Sequence, residues 1–136
     1  MLQLASKPLM VSHTGLKSWL DSSRTLSDEM VRLVAVGGGV FGIGLWPKVQ
    51  PSQSIQAIIE TVVEAVAVGG AAAVSIGSDY DGAVSVPRGL DAAGLPRLTA
   101  GLLAAGLAEA EVRQVMGGNA MRVLAAALPD EDDDSG

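Results

Sequence analysis

One histidine, one arginine in a polar loop and two aspartates in a glycine turn are the residues best placed for chemistry in this 136-residue chain. Residues 73–82 read AVSIGSDYDG. Val74 and Ile76 alternate with Ser75 and Gly77 as a short strand, and the run closes on Asp79, Asp81 and Gly82. A strand that ends in acids and glycine is how a parallel α/β protein presents reactive groups at the carboxyl edge of its sheet. The bland reading of the same residues is an Asp-Gly turn. His13 follows another apolar run, residues 8–12 (PLMVS). An imidazole there serves equally as an ordinary polar residue, as an acid–base group or as a metal ligand. One imidazole with carboxylates is a poor zinc site, because such sites want several N or S donors. Arg24 reads as a solvated side chain or as a carboxylate clamp, since a guanidinium grips a carboxylate through two parallel hydrogen bonds.

Two other motifs are set aside on context. Residues 37–42 (GGGVFG) carry the glycine spacing of a dinucleotide site, but a helix precedes them and a strand follows. The fingerprint needs the reverse order. Asp79-Tyr80-Asp81-Gly82 resembles the opening of a calcium loop, but lacks the further ligand before the glycine and the closing glutamate.

The elements that must position these groups follow from periodicity. Residues 8–12 form a first strand, with His13 at its carboxyl end and Thr14-Gly15 as a turn. Trp19 anchors the loop or short helix over residues 16–25. Ser27 caps a helix whose first turn holds Asp28 and Glu29 and which stops at Gly37 or Gly38. Residues 40–45 (VFGIGL) form a second strand with glycines that imply close backbone approach. Ser52 caps the next helix. Its apolar face is Ile55, Ile58, Ile59, Val62, Val63 and Val66, and Gly69-Gly70 ends it. After the third strand and a long loop come three short helices over residues 96–105, 109–116 and 119–128, the last capped by Asn119. Strand–helix–strand–helix–strand implies a parallel sheet with right-handed crossovers. That order fits an open doubly wound sheet or three units of a (β/α)₈ barrel, which is roughly 250 residues when complete.

Composition narrows the class. Apolar residues make up 49% of the chain, enough for one domain with a core, while aromatics are only 3%. The net charge of −6 and the lack of a basic stripe argue against nucleic acid as a partner. The absence of cysteine excludes disulfides and thiolate metal sites. Residues 130–134, at the end of the chain, are all acidic, and residues 130–136 read as a solvated, disordered tail beyond a domain of residues 1–129. No secretory signal or membrane-spanning run is evident. The compartment stays unassigned, with the cytoplasm favoured over the periplasm.

Five stretches in order resemble the membrane (renal) dipeptidase family: KPLMVSHTG at residues 7–15, SRTLSDE at 23–29, GGGVFGIGLW at 37–46, GSDYDGAVSVP at 77–87 and VMGGNAMRVL at 115–124. The likeness covers nearly the whole chain except the tail and corresponds to the last third or so of the family's domain. The resemblance implies an amidohydrolase-like (β/α)₈ TIM barrel, here its last three strands with flanking helices, and zinc-dependent hydrolysis of dipeptides. It implies that His13, of the family's SH motif, is a zinc ligand and that Arg24, of its RNLSDE motif, binds the substrate's terminal carboxylate. Asp79, first acid of its GSDFDG motif, is then the catalytic acid near the nucleophilic water, and Asp81 shapes the loop. Thr25 stands where the family has asparagine, and Tyr80 where it has phenylalanine. The resemblance also implies two zinc ions and a homodimer for an intact relative.

The family's amino-terminal His-x-Asp pair, its bridging glutamate and its other histidines have no counterpart in this sequence. The expectation is therefore a carboxyl-terminal fragment that neither holds zinc nor has activity alone. A second reading is a non-catalytic remnant that acts as a binding or assembly module through exposed sheet edges. A third is an unrelated α/β domain with an anion site.

Overall fold

A computed structural model describes residues 6–82 and 85–128. The acidic tail lies outside the described residues. Four parallel strands form one sheet in the order β2-β1-β3-β4. They are β1 (Met10–Leu16), β2 (Thr25–Leu26), β3 (Val40–Ile43) and β4 (Val74–Ile76). The helices are α1 (Asp28–Val36), α2 (Ile55–Gly69), α3 (Leu95–Ala104), α4 (Glu109–Arg113) and α5 (Asn119–Ala127). The mixed α/β architecture with a parallel sheet follows the expected order, with one short strand added.

Register assigns the faces. Val11, Phe41 and Val74 pair across the sheet, as do Ile43 and Ile76. Side chains of paired residues share a face. Phe41, Ile43 and Val74 are buried on this face, in one cluster with Val31 and Val34 of α1 and Ile58, Val62 and Ala65 of α2. Met10, Val40, Gly42 and Ser75 occupy the opposite face by the same register. That face is built of smaller side chains, and Met10 on it is exposed.

The caps follow the chemistry with one shift. Ser27 accepts from the Met30 N–H and starts α1. Ser54, rather than Ser52, caps α2 by accepting from Ala57 N, and the Ser52 hydroxyl contacts Ser54 Oγ. Gly69 remains helical, and Gly70, at φ 81°, ends the helix. Asn119 is not a cap. It is buried, and its side-chain amide donates to the carbonyls of Ala71 and Val74. A π-turn over Gln114–Gly118 joins α4 to α5. Arg122 donates to the carbonyls of Gly38 and Ala72, where the chain enters β3 and β4. The closing VMGGNAMRVL motif thus ties down the amino-terminal ends of two strands.

The first strand departs most from expectation. β1 runs through His13, Thr14 and Gly15 to Leu16, so His13 is within the strand and Thr14-Gly15 is strand rather than turn. The pairing jumps from Val11↔Phe41 to Thr14↔Ile43, which places one extra residue in β1 at Ser12–His13. A β-bulge of this kind bends the strand and re-aims a side chain. The Ser12 carbonyl projects over Gly42 and Gly77, where a Cβ on either glycine would overlap it. β3 ends at Ile43, two residues earlier than its apolar run.

Gly77→Ala should therefore destabilise the fold by about 2–3 kcal/mol, the range for overpacking against fixed backbone. Gly37→Ala, with its nearest atoms at 3.5 and 3.6 Å and negative φ, is the control and should stay within about 1 kcal/mol. Urea denaturation of both variants measures the difference.

Candidate active site

The bulge carries His13 to the carboxyl end of the sheet. Its Nε2 lies 3.9 Å from Asp79 Oδ2 and 3.3 Å from Arg24 Nη2. Its Nδ1 lies 2.9 Å from Ser12 Oγ. The three residues singled out in the sequence therefore converge, from β1, from the loop between β1 and β2, and from the loop after β4. The His13 and Asp79 side chains are 32% and 22% exposed, so solvent and a small ligand reach both.

Arg24 is held by its backbone. The Thr14 hydroxyl donates to the Arg24 carbonyl at 2.9 Å, and Arg24 N donates to Ser22 Oγ at 3.1 Å. Buried Thr25 donates to the Leu20 carbonyl and accepts from Ser22 N. Thr25 thus closes the turn that presents Arg24.

Trp46, the last residue of the GGGVFGIGLW stretch, is a component to which the sequence alone assigns no role. The Arg24 guanidinium carbon lies 5.2 Å from the centre of its ring, within cation–π range. The loop that bears Trp46 is pinned by buried Gln50, which donates to the Gly44 carbonyl at 2.7 Å and accepts from the Thr61 hydroxyl of α2 at 3.0 Å. Trp46 Nε1 is buried without a hydrogen-bond partner among the described residues. Its place in the GGGVFGIGLW stretch was the available signal, but stacking on a residue 22 positions away is not periodic and leaves no local trace.

Asp79 and Asp81 adopt left-handed backbone, with φ of 55° and 64°. Aspartate tolerates this region better than most residues. Gly82 N donates to the Asp79 carbonyl at 3.2 Å, and a Cβ at Gly82 would strike Asp79 Oδ1. The turn thus needs its glycine to leave the Asp79 carboxylate in place. Asp81 is exposed and is not drawn into the His13–Arg24–Asp79 group.

As metal donors, His13 and Asp79 are an incomplete set. A catalytic zinc takes three protein ligands and a structural one four. No group of three His, Cys, Asp or Glu able to hold a metal occurs among the described residues. The pair can contribute to a metal centre and cannot make one.

The family model for membrane dipeptidases, peptidase family M19, matches residues 1–132. The chain belongs to the membrane dipeptidase family. No curated protein matches it significantly. Among solved structures, a metallo peptidase from Rhodobacter sphaeroides, liganded with a phosphinate mimic of the dipeptide L-Ala-D-Ala, is 24% identical with a TM-score of 0.84. That match covers 93% of this chain and 38% of the other. The dipeptidase AC, a metallo peptidase of family M19, is 25% identical at a TM-score of 0.81, over 92% of this chain and 39% of its own. An amidohydrolase from Pseudomonas aeruginosa is 25% identical at 0.82, over 92% of this chain and 47% of its own. This member of the family therefore spans less than half the length of these structures. No described helix is long and apolar enough to cross a membrane.

Tyr80 gives the site loop a further tie. Its hydroxyl donates to the Leu90 carbonyl at 2.7 Å. Burial, and then the nearby Asp91 carboxylate, push the phenol above its ordinary value of 10.0. The unfolded chain loses this proton near about pH 10, whereas the folded chain keeps it to higher pH. The folded state then binds more protons, so stability should fall as pH rises through that window. Tyr80→Phe should cost about 1 kcal/mol at neutral pH, the worth of one hydrogen bond, and should reduce the alkaline loss. Thermal melts of both proteins between pH 7 and 11 check this.

Proposed function

We propose that this chain supplies the substrate-clamping and acid part of a zinc dipeptidase site, and that its sheet is a segment of a (β/α)₈ barrel. The observation that carries the proposal is the meeting of His13, Arg24 and Asp79 at one end of the sheet, in a chain of this family. His13 Nε2 would be one metal ligand. The donors still needed would come from outside the described residues, in keeping with the share of the similar structures that the chain spans. Zinc, when bound, supplies a Lewis acid that lowers the pKa of water toward neutrality.

The chain's own residues carry the remaining roles. Arg24 takes the free carboxylate of the dipeptide through paired hydrogen bonds, which favours short substrates. Its stacking on Trp46 fixes the plane of the guanidinium and hence the register of the scissile bond. Asp79 accepts a proton from the attacking water and passes it to the leaving amine. The turn around Gly82 keeps the carboxylate facing His13.

A second reading is favoured by one observation, the incomplete donor set. On that reading the chain is a non-catalytic module of the same fold, which binds rather than cleaves.

Zinc-supplemented dipeptide hydrolysis by the polypeptide purified from its native source separates the two. The dipeptidase reading expects activity that chelation abolishes and zinc restores. Asp79→Asn should lower kcat by about 10²–10⁴, the range for a general acid–base group. Arg24→Ala should raise KM for dipeptides by about 10–100-fold, as expected for a lost charged hydrogen bond. Zinc-free protein without hydrolysis would leave the binding module.

A further inference from the structure

We infer that Ser12, Arg24 and Trp46 are positioning residues that lock His13 in the Nδ1–H tautomer, with the Nε2 lone pair turned to the Arg24 guanidinium.

The argument begins with what a guanidinium can do. Arginine donates hydrogen bonds and accepts none. Its Nη2 lies 3.3 Å from His13 Nε2, so that nitrogen must accept and carries no proton. The ring proton of neutral His13 is then on Nδ1. There it meets Ser12 Oγ at 2.9 Å, and a hydroxyl can accept it. Contacts at opposite nitrogens, made by residues from different elements, thus specify one tautomer. Asp79 Oδ2, at 3.9 Å from Nε2, is beyond hydrogen-bond range and does not oppose the choice.

Trp46 completes the device. Arg24 is exposed to solvent on one side, and its long side chain would sample many rotamers without a second hold. The indole face gives it one at 5.2 Å. The loop that bears the indole is itself held, since Gln50 ties its start at Gly44 to Thr61 of α2. Ligated histidines are commonly oriented by a hydrogen bond at the nitrogen away from the metal, which sets the tautomer. Ser12 stands in that position here.

His13 is the sole histidine, so its tautomer is readable without ambiguity. The experiment is long-range ¹H–¹⁵N correlation on the labelled 136-residue chain, at a pH where the ring is neutral. The wild-type chain should give the Nδ1–H pattern. Ser12→Ala, Arg24→Ala and Trp46→Leu should each shift the signal toward the Nε2–H form that free imidazole favours. Ser12→Thr and Arg24→Lys, which keep an acceptor and a donor, should restore it. Amide-region dispersion confirms that each variant is folded. A wild-type Nε2–H pattern, or variants that leave the pattern unmoved, would overturn the inference. None of these results bears on hydrolysis by the native polypeptide, so the two readings fail separately.

Discussion

The site depends on the Ser12 carbonyl, which rides over Gly42 and Gly77 because neither has a side chain. A parallel ladder with strict register would alternate β1 side chains evenly between the two faces. The extra residue at Ser12–His13 breaks that alternation. It moves the imidazole toward the sheet's carboxyl end and buries Thr14, whose hydroxyl then holds the Arg24 carbonyl. One backbone irregularity therefore positions two of the three candidate site residues. The third, Asp79, follows Gly77 by two residues and inherits its place from the same close approach. Strand glycines that look like weak points are the condition for the bulge.

The loops that complete the site are rigid for polar reasons. The core is aliphatic and small, with Phe41 the one buried phenylalanine. Such a core fixes the elements but not the loops between them. Thr25, Gln50 and Thr61 are buried, and each is engaged with backbone carbonyls or with one another. A buried polar group left unpaired costs more than a pair gains, so these bonds admit one loop geometry. Among the described residues the Trp46 indole N–H is the exception, buried without a partner beside Arg24 and His13.

What the sequence disclosed divides along the range of the forces involved. The apolar stripe of α2, the Ser27 cap and the alternating strands are local patterns, and residues 55–66 or 74–76 read correctly from them. Family motifs gave His13, Arg24 and Asp79, and the fold brings these together. The bulge was hidden because it depends on glycines 30 and 65 residues downstream. β2 was hidden because two residues carry no period, and it exists through pairing of Thr25 and Leu26 with Gly15 and Leu16. Ser52 and Ser54 both suit a cap, and only the path of the chain into α2 selects Ser54. Asn119 sits where a cap would be expected, but its carbonyl partners lie 45 and 48 residues away.

Asn119 also bears on the edge of the sheet. An edge strand with open backbone groups invites pairing with another chain. In β4, Val74 donates to Ala71 and its carbonyl accepts from Asn119. Ser75 pairs inward with β3, so these bonds occupy the outward groups of the strand's first residue. Ile76, last in the strand, is half-buried. The two faces are unequal in the same way: Phe41, Ile43 and Val74 are covered by α1 and α2, while Met10 and Ser12 on the other face are exposed. Parallel sheets are ordinarily covered on both faces. Under the barrel reading proposed above, the thinly covered face is the interior one.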